Sequence, residues 1–120
     1  MTTTVLIVDD SFVSRLWVET FLHQQHPHWK VLTAESGADA LKKTQGTEID
    51  LMILDINMPG MDGFKLGTML KQQSPKAYIT MLTANIKEQT SEKCEALGFG
   101  LVSKPISSEK MRTIVEKLES

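Results

Sequence analysis

Leu51-Met52-Ile53-Leu54-Asp55-Ile56-Asn57-Met58-Pro59-Gly60 opens as an apolar run and closes in turn-forming residues. A short apolar run bounded in this way reads as a buried strand. Asp55 ends the run, and Pro59-Gly60 stops the strand just beyond it. A carboxylate at the carboxyl end of a strand stands where open α/β sheets hold their ligands. Such an aspartate can act as a nucleophile or as a metal ligand.

Val5-Leu6-Ile7-Val8 repeats the pattern and ends in Asp9-Asp10. Two strands thereby deliver three carboxylates to one edge of one sheet. Like charges gathered so closely are costly unless something positive neutralises them. A divalent cation and a lysine are the usual remedies, and Lys104 is the candidate lysine.

The 120 residues make one domain of common size, able to bury a real core. Hydrophobic content of 41% and charged content of 23% fit a soluble globular protein. A formal net charge of −2 gives no electrostatic case for nucleic acid or an anionic membrane as the main partner. The single cysteine, Cys94, cannot form an internal disulfide; a reducing cytoplasm and a packed thiol are expected. No apolar stretch approaches membrane-spanning length, and no secretory signal pattern is expected at the amino terminus.

Strand-like runs at residues 5–8, 29–34, 51–54, 78–82 and 99–102 alternate with helix-like segments at 11–25, 36–45, 62–73, 86–97 and 108–118. In the last helix, Met111, Ile114, Val115 and Leu118 form one stripe, and Ser107 and Ser108 offer caps. In the first, Val13, Leu16, Trp17 and Phe21 form a similar stripe behind Ser11 as cap. Gly46 is expected to terminate the second helix. The segment 86–97 has few apolar residues, so its attachment should be weak. Five βα units in series predict an α/β fold, a doubly wound parallel sheet with right-handed crossovers. Fold precedent gives the flavodoxin-like strand order 2-1-3-4-5, which sets Asp9, Asp10 and Asp55 side by side.

Two further strands end in polar side chains. The run from Tyr78 leads into Thr83-Ala84-Asn85, and the run from Phe99 leads into Ser103-Lys104-Pro105. Carboxylates, a hydroxyl and an ammonium converge on the carboxyl edge. Phosphoryl transfer to a carboxylate suits this set. Asp55 would attack phosphorus, while Asp9 and Asp10 would hold Mg²⁺, which prefers oxygen ligands. Lys104 would pair with Asp55 at rest and with a phosphoryl oxygen afterwards. Thr83 would donate to another phosphoryl oxygen, and Ala84 leaves room for the group to enter. Lys104-Pro105 is a candidate cis bond.

The stretch Asp50-Leu51-Met52-Ile53-Leu54-Asp55-Ile56-Asn57-Met58-Pro59-Gly60-Met61-Asp62-Gly63 resembles the phosphoacceptor signature of response-regulator receiver domains. Val5 to Ser11, Met81-Leu82-Thr83-Ala84 and Val102-Ser103-Lys104-Pro105 match the family's other landmarks, in order and at the expected spacing. The resemblance spans essentially the whole chain. It implies phosphorelay signalling, with transfer to Asp55 from a phosphohistidine on a histidine kinase or histidine phosphotransfer protein. It also implies Mg²⁺ held by Asp10, Asp55 and the backbone carbonyl of Asn57, with Asp9 helping through water. An effector protein would read the fourth helix, fifth strand and fifth helix, including Lys87, Lys93, Leu101 and Met111. Residues 1–120 would be a single cytoplasmic receiver domain without an effector domain, promoting only its own phosphorylation and dephosphorylation. Leu101 departs from the pattern, since the family commonly carries Tyr or Phe there to follow the threonine.

Two other functions compete. A haloacid-dehalogenase-type phosphatase also uses a strand-end aspartate and Mg²⁺, but it wants an acid two residues on, where this chain has Asn57. A pseudo-receiver would bind partners without phosphorylation, a reading the intact acids, Thr83 and Lys104 oppose. His23, His26 and His28 around Pro27 read as a solvated loop, since no cysteine or carboxylate stands at ligand spacing. Most of the methionines read as packing residues, with Met58 and Met61 flanking the site loop.

Overall fold

The computed structural model describes residues 2–119. Its elements follow the order β1 (Thr4–Val8), α1 (Phe12–Gln25), β2 (Lys30–Ala34), α2 (Gly37–Lys43), β3 (Leu51–Asp55), α3 (Gly63–Gln73), β4 (Tyr78–Thr83), α4 (Glu88–Leu97), β5 (Gly100–Ser103) and α5 (Ser108–Glu119). The strands form one parallel sheet in the order β2-β1-β3-β4-β5, as expected for the flavodoxin-like arrangement.

Every residue of β1 and β3 is buried. Parallel strands covered by helices on both faces read as continuous apolar runs, which is why these two were so legible. Each fully buried Leu, Ile or Val contributes about 1.5–3 kcal/mol from apolar burial, and Leu6, Ile7, Leu51, Ile53 and Leu54 are in that state. One core layer gathers Leu6, Met52, Leu54, Leu66, Leu70 and Met81 under α2, α3 and α4. The other gathers Val5, Ile7, Leu22, Ile53, Met111 and Ile114 under α1 and α5.

The α5 stripe behaves as its spacing predicts: Met111, Ile114 and Val115 are buried, and Ser107 Oγ accepts the Lys110 N–H at 3.2 Å as the cap. Met111 is fully buried, so it leaves the output face proposed for it. The α1 stripe holds only at Phe21. Val13 is 74% exposed, Leu16 47% and Trp17 37%; the buried face is Val18, Phe21 and Leu22. Apolar residues lie nearly all round this helix, so periodicity alone could not choose the face. Helix α2 stops at Lys43 with Thr44 as its cap; Gly46, at φ 73°, takes the turn beyond. Helix α4 buries only Cys94, as its composition suggested, and burial pushes the Cys94 thiol up. His26 stacks on Trp29 at 3.8 Å between ring centres, and His23 and His28 are exposed.

Candidate functional site

Strand register builds the site. Val8 pairs with Leu54, so the next residues, Asp9 and Asp55, stand side by side at the end of the β1–β3 ladder. Asp55 pairs with Leu82 and Thr83 with Ser103, which brings the ends of β4 and β5 to the same edge. The Ile56 N–H donates to Leu82 O at 2.9 Å and the Lys104 N–H to Thr83 O at 2.8 Å, carrying the ladder past the strands into the loops. Asp9, Asp10, Asp55, Thr83 and Lys104 thus come together from four strand ends.

Local devices hold each acid. Asp9 Oδ1 accepts the Ser11 N–H at 2.9 Å, and the Asp9 carbonyl accepts Arg15 Nη1 at 2.6 Å. Ser11 then caps α1, accepting the Ser14 N–H at 3.3 Å. Arg15 was not singled out from sequence. Its signal is a cation near the amino-terminal turn of a helix, where the dipole disfavours one. Asp55 Oδ1 accepts the Asn57 N–H at 3.1 Å. Behind Asp55, Asp62 caps α3 by accepting the Phe64 N–H at 2.9 Å. Gly63 lets that helix approach: a Cβ there would lie 2.8 Å from Asp55 O and 2.9 Å from Ile56 Cα.

Asp9 and Asp55 are buried and Asp10 is exposed, and their ligand atoms lie within 4.8 Å of one another. Lys104 Nζ stands 3.0 Å from Asp9 Oδ2 and 3.2 Å from Asp55 Oδ2. The first contact is an ion pair by distance, but it lacks hydrogen-bond geometry, so Asp9 Oδ2 has no hydrogen-bond donor. Burial raises the Asp55 pKa above 3.8; the Asn57 N–H and Lys104 oppose this without reversing it, and Asp9 adds to it. Burial alone would lower the Lys104 pKa, but Asp9 and Asp55 together hold it above 10.5. One ammonium is therefore shared by two buried carboxylates that it does not fully satisfy. Hard oxygen donors clustered around an oxygen without a donor fit Mg²⁺.

Thr83 is buried, and its hydroxyl donates to Asn85 O at 3.0 Å while receiving the Asn85 N–H at 3.3 Å. Its hydrogen bonds therefore stay within its own turn. Ala84 is exposed beside it, and the Asn57 side chain faces solvent. The Lys104-Pro105 peptide is cis. Among the described residues, the histidines join no cluster of metal-ligating groups.

Over residues 5–116 the chain matches the family described as the response regulator receiver domain. It is 32% identical over 117 residues to the transcriptional regulatory protein YpdB of Escherichia coli K12, an alignment covering 97% of this chain and 47% of YpdB. It is 35% identical over 115 residues to the sensor protein EvgS of the same organism, covering 95% of this chain and 9% of EvgS. The chain thus spans half or less of the length of these curated relatives. The solved structure of chemotaxis protein CheY4 of Vibrio cholerae superposes with a TM-score of 0.87 at 31% identity, covering 98% of this chain and 99% of that one. A CheY-like receiver domain from Methanospirillum hungatei gives a TM-score of 0.88 at 23% identity, covering 99% and 95%, a likeness of fold.

Proposed function

This chain belongs to the response regulator receiver family, whose work is phosphorelay signalling, and we propose that Asp55 is the residue on which it carries the phosphoryl group. The observation that carries this reading is the sharing of Lys104 by Asp55 and Asp9 at the sheet edge. A buried aspartate with one oxygen on a backbone N–H and the other on an ammonium is held in place, as a nucleophile for phosphorus needs to be.

In the proposed step, a carboxylate oxygen of Asp55 attacks phosphorus as the bond from phosphorus to a donor imidazole nitrogen breaks. The imidazole leaves with the electron pair and takes up a proton. Lys104 follows the charge from the carboxylate to a phosphoryl oxygen. Thr83 gives up its bond to Asn85 O and donates to another phosphoryl oxygen. Asp9, Asp10, Asp55 and the carbonyl of Asn57 would hold Mg²⁺. When bound, the cation offsets the charge of the acids and of the phosphoryl group.

The chain would promote only its own phosphorylation and dephosphorylation, with Asn57 standing where a phosphatase would need an acid. Residues 1–120 would act as one receiver domain in the cytoplasm. No helix among the described residues is long and apolar enough to cross a membrane. Receiver domains meet histidine kinases and downstream effectors, and two surfaces suit those meetings here. The effector would read α4, β5 and α5, where Lys87 and Lys93 are exposed and Leu101 is half-buried against the core. The donor would seat on the exposed ridge of α1. Val13 and Trp17 line a groove with Lys104, Pro105 and Ile106, so a helix packed there lies beside the acids.

Incubation with phosphoramidate and Mg²⁺ tests the assignment by mass spectrometry. One phosphoryl group is expected, on Asp55, and equal modification of Asp55→Asn would overturn it. Effector binding that is indifferent to beryllofluoride would instead favour the pseudo-receiver.

A further inference from the structure

Lys110, in the first turns of α5, spends its ammonium on the β5–α5 loop. Nζ donates to the Ser103 carbonyl at 2.8 Å, to Ser103 Oγ at 3.2 Å and to the Pro105 carbonyl at 3.0 Å. An ammonium has three donors, and here all three have acceptors on the two residues that flank Lys104. A lysine on a solvated helix face would sample many rotamers; this one is tied at both ends. Its own N–H is bonded to Ser107 Oγ in the α5 cap. Lys104 in turn is fixed to the sheet through its N–H on Thr83 O. The backbone from which Lys104 reaches Asp9 and Asp55 is therefore held by β4 on one side and by Lys110 on the other.

We propose that Lys110 is a positioning residue for phosphoryl transfer: by clamping Ser103 and Pro105 it sets where the Lys104 ammonium meets the incoming phosphoryl group. The inference rests on Asp55 as the acceptor. Misplacing a reacting group by an ångström is enough to cost rate, and this clamp ties α5 to both residues that flank Lys104. The competing possibility is that Lys110 only steadies α5.

The experiment uses phosphoramidate at saturating Mg²⁺, which removes any effect on protein docking. Lys110→Met is expected to slow phosphorylation of Asp55 about tenfold while Mg²⁺ affinity stays within about twofold, and Lys110→Arg to regain most of the rate. Lys110→Met added to Lys104→Met is expected to change nothing further, because the effect passes through Lys104. The Lys104 Nζ nitrogen resonance is expected to move in Lys110→Met and to return in Lys110→Arg, in protein never exposed to a phosphodonor. If Lys110→Met unfolds, Lys110→Gln is judged by the same measures. A folded Lys110 variant that reacts at the parent rate, or a double variant slower than Lys104→Met, overturns the proposal. A parent that takes no phosphoryl group on Asp55 sinks the functional assignment instead, and the resonance shift still decides whether Lys110 places Lys104.

Discussion

Lys104 Nζ reaches Asp55 Oδ2 at 3.2 Å across 49 positions of sequence, and the same ammonium lies 3.0 Å from Asp9 Oδ2. Removing it leaves two buried carboxylates facing each other. Breaking a buried ion pair costs about 3–5 kcal/mol, and the 25% exposure of the Lys104 side chain reduces this to roughly 1–3 kcal/mol. Lys104→Met is therefore expected to lower the urea midpoint in chelator and to recover part of the loss in Mg²⁺. A variant equally destabilised with and without the metal would show that Lys104 does not neutralise these acids.

Asp55 makes the opposite prediction. Its folded pKa is raised above 3.8, chiefly by burial. The folded state therefore holds the proton more tightly than the unfolded chain. The stability that comes from this is complete below the unfolded value and is lost as pH rises through the folded one. At neutral pH and without metal, the ionised Asp55 is a net cost. Asp55→Asn is expected to melt a few degrees higher than the parent in chelator at neutral pH, with the gap closing toward about pH 4. Thermal melts across that range read it directly, and parallel curves for the two proteins would contradict it.

The acid cluster sets a third expectation. Asp10 is exposed and outside the Lys104 ion pairs, so among the described residues it can meet a cation without losing a partner. Mg²⁺ should stabilise the parent by mass action, about 2.7 kcal/mol at a hundred times its dissociation constant. Asp10→Asn is expected to keep the metal-free stability within about 0.5 kcal/mol, as surface substitutions do, and to lose most of the Mg²⁺ effect. Undiminished stabilisation by Mg²⁺ in that variant would place the ion elsewhere.

The sheet and the site were legible because both follow from where apolar runs end. Residues 5–8, 51–54 and 78–82 read as strands from their apolar runs, and the polar residues after them share an edge once fold precedent supplies the order. Strand ends were short by one residue at Asp55 and Thr83, because a polar side chain hides a strand position whose backbone still pairs. Helix faces were less legible. In α5 the polar side is unambiguous, whereas Phe12, Val13, Leu16, Trp17, Val18, Phe21 and Leu22 leave α1 with no side that composition marks as outer. The part played by Lys110 was invisible in sequence, because its acceptors are backbone carbonyls presented by a loop that only the folded chain closes.

The exposed ridge of α1 yields the last prediction. Phe12, Val13, Leu16 and Trp17 are between 37% and 74% exposed, an apolar surface that the stacking of Trp17 on Phe21 and of Arg15 over Phe12 covers only in part. Val13 and Trp17 line a groove with Lys104 and Pro105, which suits the imidazole donor proposed for Asp55. A charge on the ridge should repel an apolar partner helix without disturbing the core, whose α1 contacts are Val18, Phe21 and Leu22. Leu16→Glu is expected to keep stability within about 0.5 kcal/mol and to leave phosphorylation by phosphoramidate unchanged. Transfer from the phosphorylated domain of its histidine kinase should fall by about tenfold or more, since burying an unpaired carboxylate in an apolar contact is costly. Equal loss with both donors would mean that the substitution harms the site itself, and no loss with either would move the docking surface off α1.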